Sequence, residues 1–187
     1  YEDRETIATG CAAAAAGGYT DITAMPNTQP CADTPGAVEL VLMRSAEAGT
    51  CRTHPVAALT AGMKGEAMVE YGDLFDAGGV AFSDDVQWVR DGGLMRHAME
   101  SIRTFGVPVI SHPEDASLSP NGTMHEGTWS TRLGLVGLPA AAEVSAIARD
   151  IELARLTGAH LHVPHVSTRD GVGLIRAVRA QGLSVTC

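Results

Sequence analysis

Three apolar runs in this chain each end in a short cluster of residues able to bind a cation. Residues 80–82 lead into Ser83-Asp84-Asp85. Residues 107–110 lead into Ser111-His112-Pro113-Glu114-Asp115. Residues 159–163 lead through Pro164 into His165-Val166-Ser167-Thr168. Imidazole nitrogens and carboxylate oxygens are standard zinc donors, and a catalytic site leaves coordination positions open for water and substrate. Each cluster also has a plainer reading. Paired aspartates after a strand commonly form a turn or a helix cap, and a lone histidine there is commonly a satisfied polar residue. The repetition of the pattern at three apolar runs makes Asp84 or Asp85, His112 and His165 joint candidates for one metal site. A fourth polar end, Met25-Pro26-Asn27-Thr28, offers an amide that could hydrogen-bond a carboxylate or amide of a substrate. Its alternative is a turn asparagine.

The remaining histidines are weaker candidates. His54 precedes a strand, so it should lie at the face opposite a site. His97 falls inside a helix, and His125 in a long loop reads as a lid residue or an exposed one. His160 and His162 alternate with Leu161 and Val163, which makes His162 the rival to His165.

These residues can meet only if the strands carrying them are parallel neighbours. Strand-like stretches at 19–25, 56–59, 80–82, 107–110, 159–163 and 183–187 alternate with helical ones at 3–16, 34–48, 66–77, 93–105, 140–157 and 169–181. Gly17-Gly18 closes the first helix, Pro35 follows the cap residue Thr34, and Ser167-Thr168 reads as the cap of the last. Residues 114–139 are too long to be only a connector. About six β/α units in strict alternation imply a parallel sheet covered by helices. No GxGxxG or GxxxxGK[ST] follows the first strand, which removes the usual support for a nucleotide-binding doubly wound sheet. Polar clusters at several strand ends favour a (β/α)8 barrel, where sites assemble at the C-terminal mouth. The opening at Tyr1 directly into helix-like sequence, without an initiator Met, and the closing apolar strand 183–187 lead us to expect residues 1–187 to be the central part of one barrel domain, with strands missing at both ends.

A hydrophobic share of 45% against 19% charged residues marks a globular chain rather than a disordered one. A net charge of -9 argues against nucleic acid or an anionic membrane as partner, without forbidding an anionic substrate in a locally positive pocket. No apolar run approaches the roughly 20 residues of a membrane span. Cys11, Cys31, Cys51 and Cys187 show no CxxC spacing, which excludes a zinc ribbon and suits reduced thiols in the cytoplasm.

Taken in order, Ala24-Met25-Pro26-Asn27-Thr28-Gln29-Pro30, Ala81-Phe82-Ser83-Asp84-Asp85, Ser111-His112-Pro113-Glu114-Asp115 and His165-Val166-Ser167-Thr168 resemble the successive signatures of bacterial class I dihydroorotases. So does the stretch from His125-Glu126-Gly127 through Arg132-Leu133-Gly134-Leu135 to Pro139 and Ala142-Glu143. The resemblance implies a zinc-dependent barrel, with one or two metals, that reversibly cyclises N-carbamoyl-L-aspartate to L-dihydroorotate. The metal would serve as Lewis acid and source of the nucleophile. It implies Asp85, the second aspartate, as the carboxylate ligand, His112 and His165 as imidazole ligands, and Asn27 as the residue holding the substrate carboxylate. Hydantoinases and allantoinases carry a carbamylated lysine where Asp85 stands. The family's HxHxR strand would precede Tyr1 and its acid/base aspartate would follow Cys187, so residues 1–187 alone should be inactive. The chain departs from the family pattern at Pro113, Pro164 and Val86. A homodimer or a complex with aspartate transcarbamoylase is the implied assembly. Alternatives are a hydantoinase-like or allantoinase-like cyclic amidohydrolase, or a non-catalytic subunit scaffolding aspartate transcarbamoylase.

Overall fold

The computed structural model describes residues 5–118 and 120–187. Six parallel strands lie side by side: β1 (Asp21–Ala24), β2 (Arg52–Ala58), β3 (Ala81–Ser83), β4 (Val109–Ile110), β7 (Leu161–His162) and β8 (Val185–Thr186). Helices α1 (Ile7–Ala16), α2 (Pro35–Ala48), α3 (Tyr71–Asp76), α4 (Gly92–Ile102), α6 (Ala140–Thr157) and α7 (Arg169–Ala180) alternate with them. The result is an α/β arc of an incomplete barrel, as the alternation of elements predicts. The first two residues of the expected helix 3–16 lie outside the described residues.

Side-chain alternation divides the sheet into two layers. Ala57, Leu59, Phe82, Val109, Leu161, Val163 and Val185 turn outward and pack with helix residues such as Val38, Met95, Met99, Ile147, Ile151 and Ile175. Val56, Ala81 and Ile110 turn inward and form a smaller cluster with Met25. Phe82 is fully buried and meets Tyr71 edge-on, with ring centroids 5.2 Å apart. The Tyr71 hydroxyl donates to the Leu59 carbonyl at 2.8 Å, so this aromatic pair ties α3 to the sheet through both its apolar and its polar parts.

Several boundaries differ from the sequence-based expectation. β2 begins at Arg52 rather than at 56, because the Arg52 amide donates to the Thr20 carbonyl and the pairing with β1 continues through Ala24 and Pro55. Pro55 is tolerated because the Pro55 carbonyl still accepts from the Val80 amide, just before the β3 ladder begins. His54 therefore lies within β2, near its N-terminal end, rather than before the strand. The helix expected over 66–77 is confined to Tyr71–Asp76. Gly62 and Gly65, with φ of 60° and 70°, turn the preceding chain back so that Met68 bridges Thr60 and the Ala61 amide reaches the Ala67 carbonyl. The stretch 114–139 carries its own structure: β5 (Met124–His125) pairs with β6 (Gly137–Leu138), with α5 (Thr128–Leu133) between them.

Replacing Phe82 with alanine should lower unfolding free energy by about 3–5 kcal/mol, the usual loss for a buried phenylalanine. Tyr71→Phe should lose only about 1 kcal/mol, since it removes one hydrogen bond and keeps the ring contact. Urea unfolding of the full-length protein checks both, and equal losses would show that the ring packing is not the dominant contribution.

Candidate metal centre

The same alternation explains which of the two aspartates faces the arc's interior. Phe82 points outward and Ser83 inward, so Asp84 returns to the outer side and Asp85 to the inner one. Asp84 is buried and accepts from the amides of Leu59 and Thr60, at 2.8 and 3.0 Å, and from the Thr60 hydroxyl. It staples the chain leaving β2 to the end of β3. Burial raises its pKa, and the Thr60 and Leu59 donors oppose that rise in part. Asp85 is left with its carboxylate at the mouth of the arc.

His112 follows β4 with the same inward parity as Ile110, and its Nδ1 lies 2.7 Å from Asp85 Oδ1. His165 stands three residues beyond the end of β7. Its backbone takes φ of 41°, a left-handed conformation seldom adopted by residues with side chains. That turn carries its Nε2 to 3.4 Å from the same Asp85 oxygen. The two imidazoles meet edge to face, 4.9 Å between centroids and 68° between planes. One donor atom from each of the three residues lies within 4.8 Å of the others, the one such group of His, Cys, Asp or Glu side chains among the described residues. The Asp85 and His112 side chains are 17% and 22% exposed and that of His165 is 52% exposed, so the group is closed below and open above. One oxygen and two nitrogens with an open side is the donor chemistry of a catalytic zinc site, and these residues fit such an ion.

The other candidates are not joined to this group. Asn27 is exposed beyond the end of β1 and lines a cavity of about 760 Å³ between β1, α1 and α2, whose lining includes none of the three. His162, the rival to His165, bonds through Nδ1 to the Thr186 hydroxyl at 2.9 Å, and His160 reaches the same hydroxyl from one pleat earlier. Burial, then the neighbouring His160 and His165, hold the His162 pKa below its ordinary value. His54 pairs with Asp21 at 2.8 Å, His97 lies near Glu100 on the surface of α4, and His125 is exposed.

Two carboxylates beside the group had no role assigned from the sequence, where Glu143 stood only as part of the resemblance and Asp150 was not singled out. Glu143, on α6, accepts from the amide and hydroxyl of Ser167 at 2.8 and 2.9 Å, and from the amide of Thr168 at 2.8 Å and its hydroxyl. Asp150, also on α6 and wholly buried, accepts from the Ser111 hydroxyl at 2.5 Å and the Trp88 indole at 3.2 Å. A signal for Asp150 was present: it occupies the position of the helix period otherwise filled by Ala146, Ile147, Ile151 and Ala154.

The fold is that of an incomplete (β/α)8 barrel. The arc superposes on L-hydantoinase (dihydropyrimidinase) from Arthrobacter aurescens with a TM-score of 0.73 at 24% identity, over 95% of this chain and 41% of that one. A D-hydantoinase (dihydropyrimidinase) from a Thermus species gives 0.63 at 20% identity, over 97% and 41%. Sequence narrows the class: a family model described as dihydro-orotase-like matches residues 1–171, and the chain belongs to that family. It is 48% identical over 186 residues to a dihydroorotase of Syntrophotalea carbinolica, covering 100% of this chain and 44% of that protein. A dihydroorotase of Pelotomaculum thermopropionicum is 50% identical over 186 residues, covering 100% and 43%. The chain thus spans less than half the length of these relatives.

The Glu143 clamp has a defined pH dependence. Burial alone would raise its pKa, but the Thr168 and Ser167 hydrogen bonds outweigh burial and hold it below the ordinary value. A carboxylate with a depressed folded pKa stabilises at pH above its unfolded value, about 4.3, and that contribution disappears as pH falls through the folded pKa. The full-length protein should therefore exceed Glu143→Gln in urea midpoint at pH 7, with the gap closing below pH about 4. A gap independent of pH would mean that the carboxylate charge is not what holds Ser167 and Thr168.

Proposed function

We propose that the full-length protein is a zinc-dependent dihydroorotase that interconverts N-carbamoyl-L-aspartate and L-dihydroorotate in pyrimidine synthesis. The observation that carries this reading is the convergence of Asp85, His112 and His165 from three neighbouring strand ends in a chain of the dihydroorotase-like family. In this reading the three side chains hold one or two zinc ions. When bound, the metal supplies Lewis-acid polarisation of the ring amide carbonyl and lowers the pKa of a water that attacks it.

The chain's own residues then have separable tasks. Asp85 Oδ1 sits between both imidazoles, so its carboxylate fixes their spacing and offsets the cation's charge. The exposed side of His165 leaves the approach to the centre open. The strand β1, which Asn27 follows, lies two strands from β3 in the sheet order, roughly 10 Å at the usual strand spacing of about 4.8 Å. From there its amide would hydrogen-bond the substrate carboxylate while the ring amide reaches the metal side. Further metal donors and the acid/base carboxylate, on this reading, belong to parts of the protein outside residues 1–187, which alone would not turn over substrate. The same reading carries with it a single barrel domain, a cytoplasmic enzyme, and a homodimer or a complex with aspartate transcarbamoylase. Among the described residues no helix is long and apolar enough to cross a membrane.

The test is metal content and turnover in the full-length protein, with Asp85→Asn beside it. Bound zinc, hydrolysis of dihydroorotate and the reverse cyclisation of N-carbamoyl-L-aspartate are expected. The variant should lose more than the roughly 100-fold in metal affinity that marks the upper range for outer-shell substitutions. Turnover of hydantoin or allantoin instead of dihydroorotate would keep the metal site and replace the substrate. A folded protein with neither zinc nor turnover would overturn the reading and favour a non-catalytic scaffold.

A further inference from the structure

Each chain segment that carries a candidate metal donor is fastened to the same helix. Ser111, one residue before His112, donates its hydroxyl to Asp150 Oδ2 at 2.5 Å. Trp88, three residues after Asp85, donates its indole N–H to that same oxygen at 3.2 Å. The other oxygen of Asp150 accepts from Arg149 through Nε at 2.8 Å and a terminal nitrogen at 2.5 Å. Arg149 closes the frame, its guanidinium 3.9 Å above the Trp88 ring and its other terminal nitrogen donating to the Arg90 carbonyl at 3.0 Å. Seven residues earlier, about two helical turns and hence on the same face of α6, Glu143 binds Ser167 and Thr168, which follow His165.

We infer that α6 is the alignment element of the metal centre, with Asp150 and Glu143 as positioning residues that set the Asp85–His112–His165 geometry through Trp88, Ser111 and the Ser167-Thr168 turn. This rests on the metal-centre reading above. The position of Asp150 favours the inference over simple structural support. Its neighbours along the buried face are Ala146, Ile147, Ile151 and Ala154, where an apolar side chain would pack without desolvating a charge. The carboxylate instead gathers donors from two segments that are distant in sequence and adjacent at the site. Glu143 does the corresponding work for the third: four hydrogen bonds grip the two residues that follow the left-handed turn at His165, whose backbone would otherwise relax towards a commoner conformation. A donor set held this way is already in place when the cation arrives, which is the usual purpose of partners outside the ligand shell.

The experiment uses the full-length protein with Co²⁺ as probe. Its affinity is read by chelator competition and its geometry by the ligand-field absorption spectrum, beside urea unfolding of the metal-free form. Asp150→Asn places an amide N–H against the Ser111 and Trp88 donors or against Arg149, so one side of the frame must open. It should weaken Co²⁺ binding by about 10–100-fold, the range typical of outer-shell changes, and alter the spectrum. Ser111→Ala removes a single bond and leaves the Asp150–Arg149 pair intact, so it serves if Asp150→Asn does not fold; about a tenfold loss is expected. Folded variants with unchanged Co²⁺ affinity and spectrum, and only a lowered urea midpoint, would reduce α6 to structural support and overturn the inference. Asp85→Asn separates the two readings. If it abolishes Co²⁺ binding while Asp150→Asn and Ser111→Ala do not affect it, the alignment inference alone fails. If it too leaves binding unchanged, the metal centre itself is wrong.

Discussion

Because successive side chains of a strand leave on opposite faces, β3 cannot send Phe82 into the helical layer without sending Ser83 and then Asp85 inward. The same obligation applies to β4, where Val109 packs outward and Ile110 and His112 face in. At β7 and the residue after it, Leu161 and Val163 pack outward, leaving His162 to the inner face. The outer layer, with Phe82, Val109, Leu161 and Val163 fully buried, leaves little freedom of register. A slip of one residue would put these side chains in the interior and the polar residues among the helices. The polar inner mouth is therefore a consequence of the apolar outer core. Strand order then determines which polar ends are adjacent, and β3, β4 and β7 are neighbours in the sheet.

Alternation delivers side chains to a mouth, but the strands stop before the donors do. β7 ends at His162, and the last ladder bond before Pro164 runs from the Val163 amide to the Thr186 carbonyl at 2.9 Å. Pro164 has no N–H to extend that ladder, so the chain is released at this point and His165 can take its left-handed backbone. Pro113 has the same effect after His112: the Ser111 amide makes the last bond to β7, at the His162 carbonyl, and Pro113 cannot add another. Both prolines end pairing beside the donors and leave Asp85, His112 and His165 grouped. Segments freed in this way need another anchor, and the carboxylates of α6 supply it.

How much of this was legible in the sequence follows from which forces were local. The β/α alternation, the caps at Thr34-Pro35 and Thr168, and the polar strand ends depend on composition and period, and all are visible along the chain. The choice of Asp85 over Asp84 came from the family resemblance, because the residue pattern left both open; counting positions from Phe82 decides it only once that ring is seen to pack outward. His165 was preferred over His162 because it stands at the strand end, but period alone keeps His162 on the inner face, and the left-handed backbone of His165 has no local signal. The false helix start at 66 arose because the Thr60–Met68 bridge is a contact between segments, unseen by any local pattern. Asp150 was overlooked for a different reason. A lone acid in a helix reads as surface unless the apolar period around it is followed carefully enough to show that it points inward.

Buried carboxylates are expensive in a protein interior, and the two here are tolerated for different reasons. Asp84 has donors from two consecutive residues of one loop, Leu59 and Thr60, so it makes a local bond that could be exchanged for another loop closure. Asp150 has donors from α6 itself, from the chain after β3 and from the end of β4. No apolar residue could replace it and keep those three parts in register, because hydrophobic contact is non-directional whereas each of these hydrogen bonds prescribes a direction. Packing alone would hold α6 against the sheet with some freedom to slide, and a shift of 1 Å is large for a metal site. The directional bonds of Asp150 and Glu143 remove that freedom at the end of the sheet where the donors lie. The burial penalty thus falls on the helix that packs behind the site, leaving Asp85, His112 and His165 free to face the interior of the arc.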